Sequence, residues 1–99
     1  MMRRPRNTAR RLRRAKGVEL REVGDEFFLV APGGDGIHQL DQMASAAWRA
    51  LSTPRSADEI IGLFQTAFPG TPRQQVARDI EKLLAHLEDR RLVVKTTKE

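Results

Sequence analysis

Apolar positions recur with a period of two up to Leu40 and with a period of about 3.6 after it, which predicts a sheet first and helices second. Val18 and Leu20 alternate with Glu19 and Arg21 across Val18–Val23, the pattern of a strand wet on one side. Gly24-Asp25 makes a tight hairpin turn. Glu26–Ala31 is apolar on both faces through Phe27, Phe28, Leu29 and Val30, which places it in the middle of a sheet or under a partner. Pro32-Gly33-Gly34-Asp35-Gly36 turns the chain again, and Ile37–Leu40 is a third strand. The economical arrangement is an antiparallel meander with Ile37–Leu40 on one edge. That edge carries no Pro, no Lys and no charge apart from a protonatable His38, which reads as pointing out from the sheet. The usual devices that repel a foreign strand are missing, so the edge is either covered or used.

Asp41 stands at an N-cap position directly after the third strand, and Leu40, Ala44, Ala47, Trp48 and Leu51 form one helical stripe. Ser56-Ala57-Asp58-Glu59 is a capping box that opens a second helix over 57–68, with Ile60, Phe64, Ala67 and Phe68 on one face. Pro69-Gly70 stops it. Thr71 then offers an N-cap, Pro72 a first helical position and Gln74 a closing acceptor for a third helix over 72–90. Val76, Ile80, Leu83, Leu84 and Leu87 form its stripe, and Leu92-Val93-Val94 adds a short strand or strap. The predicted class is α+β, a winged-helix-like body with a three-stranded antiparallel sheet followed by three helices.

Length changes little in this picture, since 99 residues make one domain with one modest core. Charge changes more. The net value of +5 suggests a nucleic-acid partner, yet residues 1–16 hold eight basic side chains and no acid. The remaining residues carry ten basic and thirteen acidic side chains, so the body is mildly acidic. The basic stretch has little apolar content and predicts a disordered tail over 1–16, outside a domain over 17–95. There is no cysteine, which excludes disulfides, thiolate metal sites and cysteine nucleophiles. No apolar run reaches the roughly 18–20 residues of a membrane span, and no secretory signal is evident, so a cytoplasmic location without membrane contact is expected.

Chemistry is hard to find. His38 and His86 lie on different elements without further ligands at metal spacing. Gly33, Gly34 and Gly36 lack the Lys-Ser/Thr of a phosphate loop and do not open a helix. Asp58-Glu59 and Glu88-Asp89 are adjacent pairs and splay around their helices rather than converge. The sequence therefore predicts no enzyme activity, cofactor or metal. A winged-helix DNA regulator using the basic tail is the competing reading, opposed by Asp79, Glu81, Glu88 and Asp89 on the helix that would face phosphates.

The run Phe28-Leu29-Val30, Ile37-His38-Gln39-Leu40-Asp41, Ala44 through Leu51, Ser56 through Ile60, Phe68, and Val76, Asp79, Ile80, Leu83, Leu84, Leu87 to Leu92-Val93 resembles the PqqD family. These are small proteins of pyrroloquinoline quinone biosynthesis and, more widely, recognition elements for ribosomally made, modified peptides. Two positions depart from the family: Asp41 stands where Asn is usual, and Arg91 where Gly is usual at the exit of the third helix. The resemblance implies a non-catalytic module that binds the leader of a precursor peptide and presents it to a modifying enzyme, often a radical S-adenosylmethionine enzyme. It implies a leader strand added to Ile37, His38, Gln39 and Leu40, with Arg73, Val76, Ala77, Ile80 and Leu84 on the helix side. The same open edge would also allow a homodimer by isologous strand pairing.

Overall fold

The computed structural model describes residues 11–32 and 36–96. Strands β2 (Glu19–Val23), β3 (Glu26–Val30) and β4 (Ile37–Leu40) form an antiparallel sheet in that order, with β3 central, as the alternation predicts. Helices α1 (Gln42–Ala50), α2 (Ala57–Ala67) and α3 (Arg73–Asp89) follow. Leu29, Leu40, Ala47, Trp48, Ile60, Ile61, Ile80 and Leu87 are buried together, so the inner face of the sheet and one stripe of each helix share one core.

The helix starts follow from their caps. Asp41 accepts from the Ala44 amide at 2.8 Å. Ser56 accepts from the Glu59 amide at 3.1 Å while Glu59 accepts from the Ser56 amide at 2.9 Å, closing the predicted box. At α3 the expectation fails. The N-cap is Pro72, with no side-chain bond, and its carbonyl accepts from the Gln75 and Val76 amides. Thr71 is drawn elsewhere: its carbonyl accepts from Gln65 Nε2 at 2.9 Å and its amide donates to Phe68, tying α3 to the end of α2.

The larger correction concerns the N-terminus. Residues 11–16, assigned from the sequence to a disordered tail, belong to the fold. Arg11–Arg14 is a strand, β1, which pairs on one side with β5 (Arg55–Ser56) and on the other with β6 (Val93–Lys95). Leu12 enters the core at 6% exposure, enough anchorage for a strand whose other side chains are arginines. Arg14 clamps α1, its Nε and Nη2 donating to the Trp48 carbonyl at 3.1 and 2.7 Å with its guanidinium 4.8 Å from the indole centre. Arg55 Nε donates to the Ala50 carbonyl at 2.6 Å. The two arginines thereby add donors to carbonyls at the end of α1, where the Trp48 carbonyl also accepts from the Leu51 amide at 3.1 Å. The rest of the predicted tail, residues 1–10, lies outside the described residues.

The exit of α3 is a Schellman motif, in which the Leu92 amide donates to the Leu87 carbonyl and the Arg91 amide to the Glu88 carbonyl, both at 2.9 Å. This motif needs a left-handed residue, and Arg91 supplies it at φ 63°. A side chain there is strained where glycine is not. Arg91→Gly is accordingly expected to stabilise the protein by about 0.5–1 kcal/mol after the added chain entropy is subtracted. Chemical denaturation would read this as a higher midpoint at unchanged slope; a lower midpoint would mean that Arg91 makes a contact outweighing its backbone strain.

Candidate functional site

The register of β4 decides what its edge offers. Val30 pairs with Ile37, Leu29 with His38, Phe28 with Gln39 and Phe27 with Leu40, and the Ala31 amide donates to the Gly36 carbonyl at 3.1 Å. Antiparallel pairs alternate between bonded and non-bonded, so the Ala31–Gly36 bond makes Leu29–His38 and Phe27–Leu40 the bonded pairs. The N–H and C=O groups of Ile37 and Gln39 therefore point away from β3. Among the described residues no strand pairs with β4 on that side.

Side chains divide the same way. Ile37 and Gln39 stand on the outer face with Phe28, and Ile37 is 68% exposed. His38 and Leu40 stand on the inner face, opposite Leu29 and Phe27. His38 is thus half-buried, not directed out of the sheet as expected, because two-residue alternation ties it to the buried Leu40.

Beside this edge lies a groove against α3. A cavity of about 190 Å³ is lined by His38, Leu40, Asp41 and Ala44 on one side and by Leu83, His86 and Leu87 on the other. It continues into a hollow of about 400 Å³ between Asp41 and Met43 and the α3 residues Asp79, Lys82, Leu83 and His86. The walls are apolar at depth through Leu40, Leu83 and Leu87, with acidic and basic groups at the mouth.

The structure brings His38, Gln39 and Leu40 to this groove and leaves the predicted helix partners out of it. Val76, Ile80 and Leu84 are core, at 4%, 0% and 4% exposure. Ala77 packs partly buried against that core, and Arg73 is exposed. The α3 residues that share the cavity with β4 are Leu83, His86 and Leu87, and Asp79, one turn before Leu83, lies opposite Asp41 and Met43 instead. Sequence periodicity identifies the buried stripe but not which of its flanks meets the strand. The half-buried Leu83, less enclosed than its neighbours, marks the flank.

The arginines available to nucleic acid are fewer than the composition suggests. Arg14 is spent on Trp48, and Arg11 lies 3.7 Å from Glu59. No group of three potential ligands occurs among the described residues to hold a metal.

The family described as Coenzyme PQQ synthesis protein D (PqqD) matches residues 26–93, more than half of the chain. The chain belongs to the PqqD family. The match runs from the start of β3 into β6, so it contains the free edge, the groove and α3, and leaves β1 and β2 outside.

Solved structures agree on the fold. TbiB1 in complex with the TbiA(beta) leader peptide is similar at a TM-score of 0.73 and 21% identity, over 87% of this chain and 99% of that one. The PqqD truncation of Methylobacterium extorquens PqqCD, a stand-alone recognition element for ribosomally synthesized and post-translationally modified peptides, gives 0.71 and 22% over 85% and 88%. Lasso peptide synthetase B1 complexed with its leader peptide gives 0.70 and 18% over 84% and 96%. None of the curated proteins matches the chain.

Proposed function

We propose that this PqqD-family chain binds the leader of a ribosomally made precursor peptide as a strand added to β4, and presents it to a modifying enzyme without doing chemistry itself. The observation that carries the reading is the register: Ile37 and Gln39 turn four backbone groups away from β3, where no described strand pairs with them, at an edge beside a groove lined by Leu40, Leu83 and Leu87. Main-chain bonds would give the peptide its register, and the groove would select alternate side chains. The helix side of the site is Lys82, Leu83 and His86 in place of the core residues Val76, Ile80 and Leu84. That two similar folds are complexes with leader peptides supports the same reading. The proposed enzyme partner is a radical S-adenosylmethionine enzyme, and the proposed compartment is the cytoplasm. No described helix is long and apolar enough to cross a membrane.

So short an edge gives modest binding, of micromolar order. The test is an amide-shift titration of the labelled full chain with the leader half of a short peptide encoded beside its gene, and separately with duplex DNA. The peptide is expected to move residues 37–40 and 82–87, and DNA to move none of them. Gln39→Pro removes one outward N–H at an edge position that tolerates proline, and is expected to weaken the peptide about tenfold with the fold intact. Unaltered affinity in that variant would rule out strand addition at β4. Isologous dimerisation through the same edge would appear as a protein-concentration dependence that Gln39→Pro also removes.

A further inference from the structure

The outer face of the β2–β3–β4 sheet is apolar and turned away from the core. Residues paired across antiparallel strands share a face, so Val30 stands between Glu19 and Ile37, Phe28 between Arg21 and Gln39, and Val23 beside Glu26. Neither Phe28 nor Val30 belongs to the core or packs against it, whereas Leu20, Phe27 and Leu29 on the opposite face do. Val23 and Ile37 are 65% and 68% exposed, two of the four large apolar side chains left in water among the described residues. Arg21 donates to Glu19 at 2.9 Å, so these two charges pair with each other beside Phe28 and Val30. The core thus accounts for one apolar side of β3 and, among the described residues, not for the other.

Continuity with the β4 edge points to an occupant. A peptide strand added to β4 sets alternate side chains in the same rows, beyond Ile37 and Gln39, and widens the face by about 4.8 Å, one strand added to three. The remaining side chains of that strand turn to the groove; these stay open to another protein. Residues 1–10 of the chain itself match the face poorly, with four arginines and, besides Met1 and Met2, no large apolar side chain. A second copy stacked on the face would leave its continuity with the edge unused.

We infer that this face, centred on Phe28, Val30 and Ile37 and widened by the outward side chains of the bound peptide, is the docking surface for the modifying enzyme, whose matching surface is apolar. The inference rests on the strand-addition reading. It adds a means of telling a loaded module from an empty one, because the enzyme meets both chains at once. The coupling is reciprocal, so the enzyme tightens the peptide by the same factor as the peptide tightens the enzyme. That offsets the shortness of the β4 contact, which alone is smaller than a stable interface.

The test uses the full chain, immobilised, with the modifying enzyme and the leader peptide encoded beside its gene. Interferometry is expected to show the enzyme binding roughly tenfold more tightly when the peptide is saturating. Val30→Lys and Val23→Lys each set a cation into the face and leave the β4 backbone alone. Both are expected to weaken the enzyme on the loaded chain roughly tenfold, with peptide affinity in the absence of enzyme unchanged. Val23 is the more exposed of the two, so its variant carries the test should Val30→Lys melt early. Leu63→Lys, at an apolar side chain 45% exposed on α2, is expected to change neither affinity.

Enzyme binding lost in Leu63→Lys but kept in both face variants overturns the inference and leaves strand addition standing. Equal enzyme affinity for loaded and empty chain, or none for either, overturns it as well. A wild type that does not bind the peptide, or Gln39→Pro binding it as tightly as wild type, overturns the reading beneath. Self-association that the two lysines abolish gives the face to a second copy. Methyl contacts from Met1 or Met2 to Val30 in the free chain, read by nuclear Overhauser effects, give it to the N-terminal segment. Either result overturns the enzyme dock.

Discussion

Trp48→Ala is expected to lower the melting midpoint by roughly 15–30 °C, leaving a chain only marginally folded at 37 °C. Trp48 is 1% exposed and is the largest side chain in the core, packed where α1 lies across the sheet. Emptying such a site costs about 3–5 kcal/mol, against a total of about 5–15 kcal/mol for a domain. For a chain of this size each kcal/mol moves the midpoint by about 4–8 °C. The loss has a second part. The Arg14 guanidinium is held between the Trp48 carbonyl and the indole face, and burial already pushes its pKa below the usual arginine value. Without the ring, that partly desolvated cation keeps its hydrogen bonds and loses its stacking surface. Trp48→Phe, which retains an aromatic face, is expected to cost only about 1–2 kcal/mol. Circular dichroism reads both variants, since Trp48 is the only tryptophan and its emission disappears with it. A Trp48→Ala chain melting within a few degrees of wild type would mean that the α1 stripe is not core. The consequence reaches the site, because Asp41 alone separates β4 from α1 and any slackening of α1 releases the edge where the peptide is proposed to add.

Local signals in this chain were legible wherever one residue both starts and satisfies a structure. Asp41 and Ser56 cap helices with their own side chains, and the three strands of Val18–Leu40 are legible because two alternating strands flank one that is apolar on both faces, with glycine turns between them. Thr71 misled because a cap residue competes for partners, and here its backbone serves the α2–α3 link. His38 misled because polarity alone assigned its direction, whereas its alternation with Leu40 fixes it. The free edge of β4 was readable from what the strand lacks. The α3 side was not, since Leu83, His86 and Leu87 come to the strand only when one flank of the helix is placed against it, and that placement is tertiary. The exposure of Phe68 is further still from the sequence: Phe64 and Phe68 read as one core face, and only the packed helices leave the second ring 55% exposed.

Leu12→Asp is the other change expected to be severe, and its contrast with Arg13→Asp makes it informative. Local composition argues against any structure at Arg11–Arg14, since three arginines and one leucine form neither an amphipathic helix nor an alternating strand of ordinary kind. Pairing overrides composition here. β5 and β6 have two and three residues each, and both find their backbone partners on β1. Leu12 is the one side chain of β1 enclosed by the core, so a carboxylate there must be desolvated without a partner or drawn out with its strand. Either route costs more than the about 2–5 kcal/mol of simple truncation at a buried leucine. Drawing the strand out also strips pairing from Val93–Lys95 and removes the Arg14 clamp from α1, so the effect couples to that of Trp48 and the two are expected not to add. Arg13 is exposed, and reversing its charge is expected to stay within about 0.5 kcal/mol. Hydrogen exchange provides the local reading: Leu12→Asp should cost the amides of Val94 and Thr96 their protection before the β2–β3–β4 sheet loses any. Were residues 11–16 a tail outside the fold, both substitutions would be silent and those amides unchanged. A large loss in Leu12→Asp alone places the start of the folded unit at β1, so that a shortened protein beginning at Gly17 would lack the strand that ties the end of α3 to the start of α2.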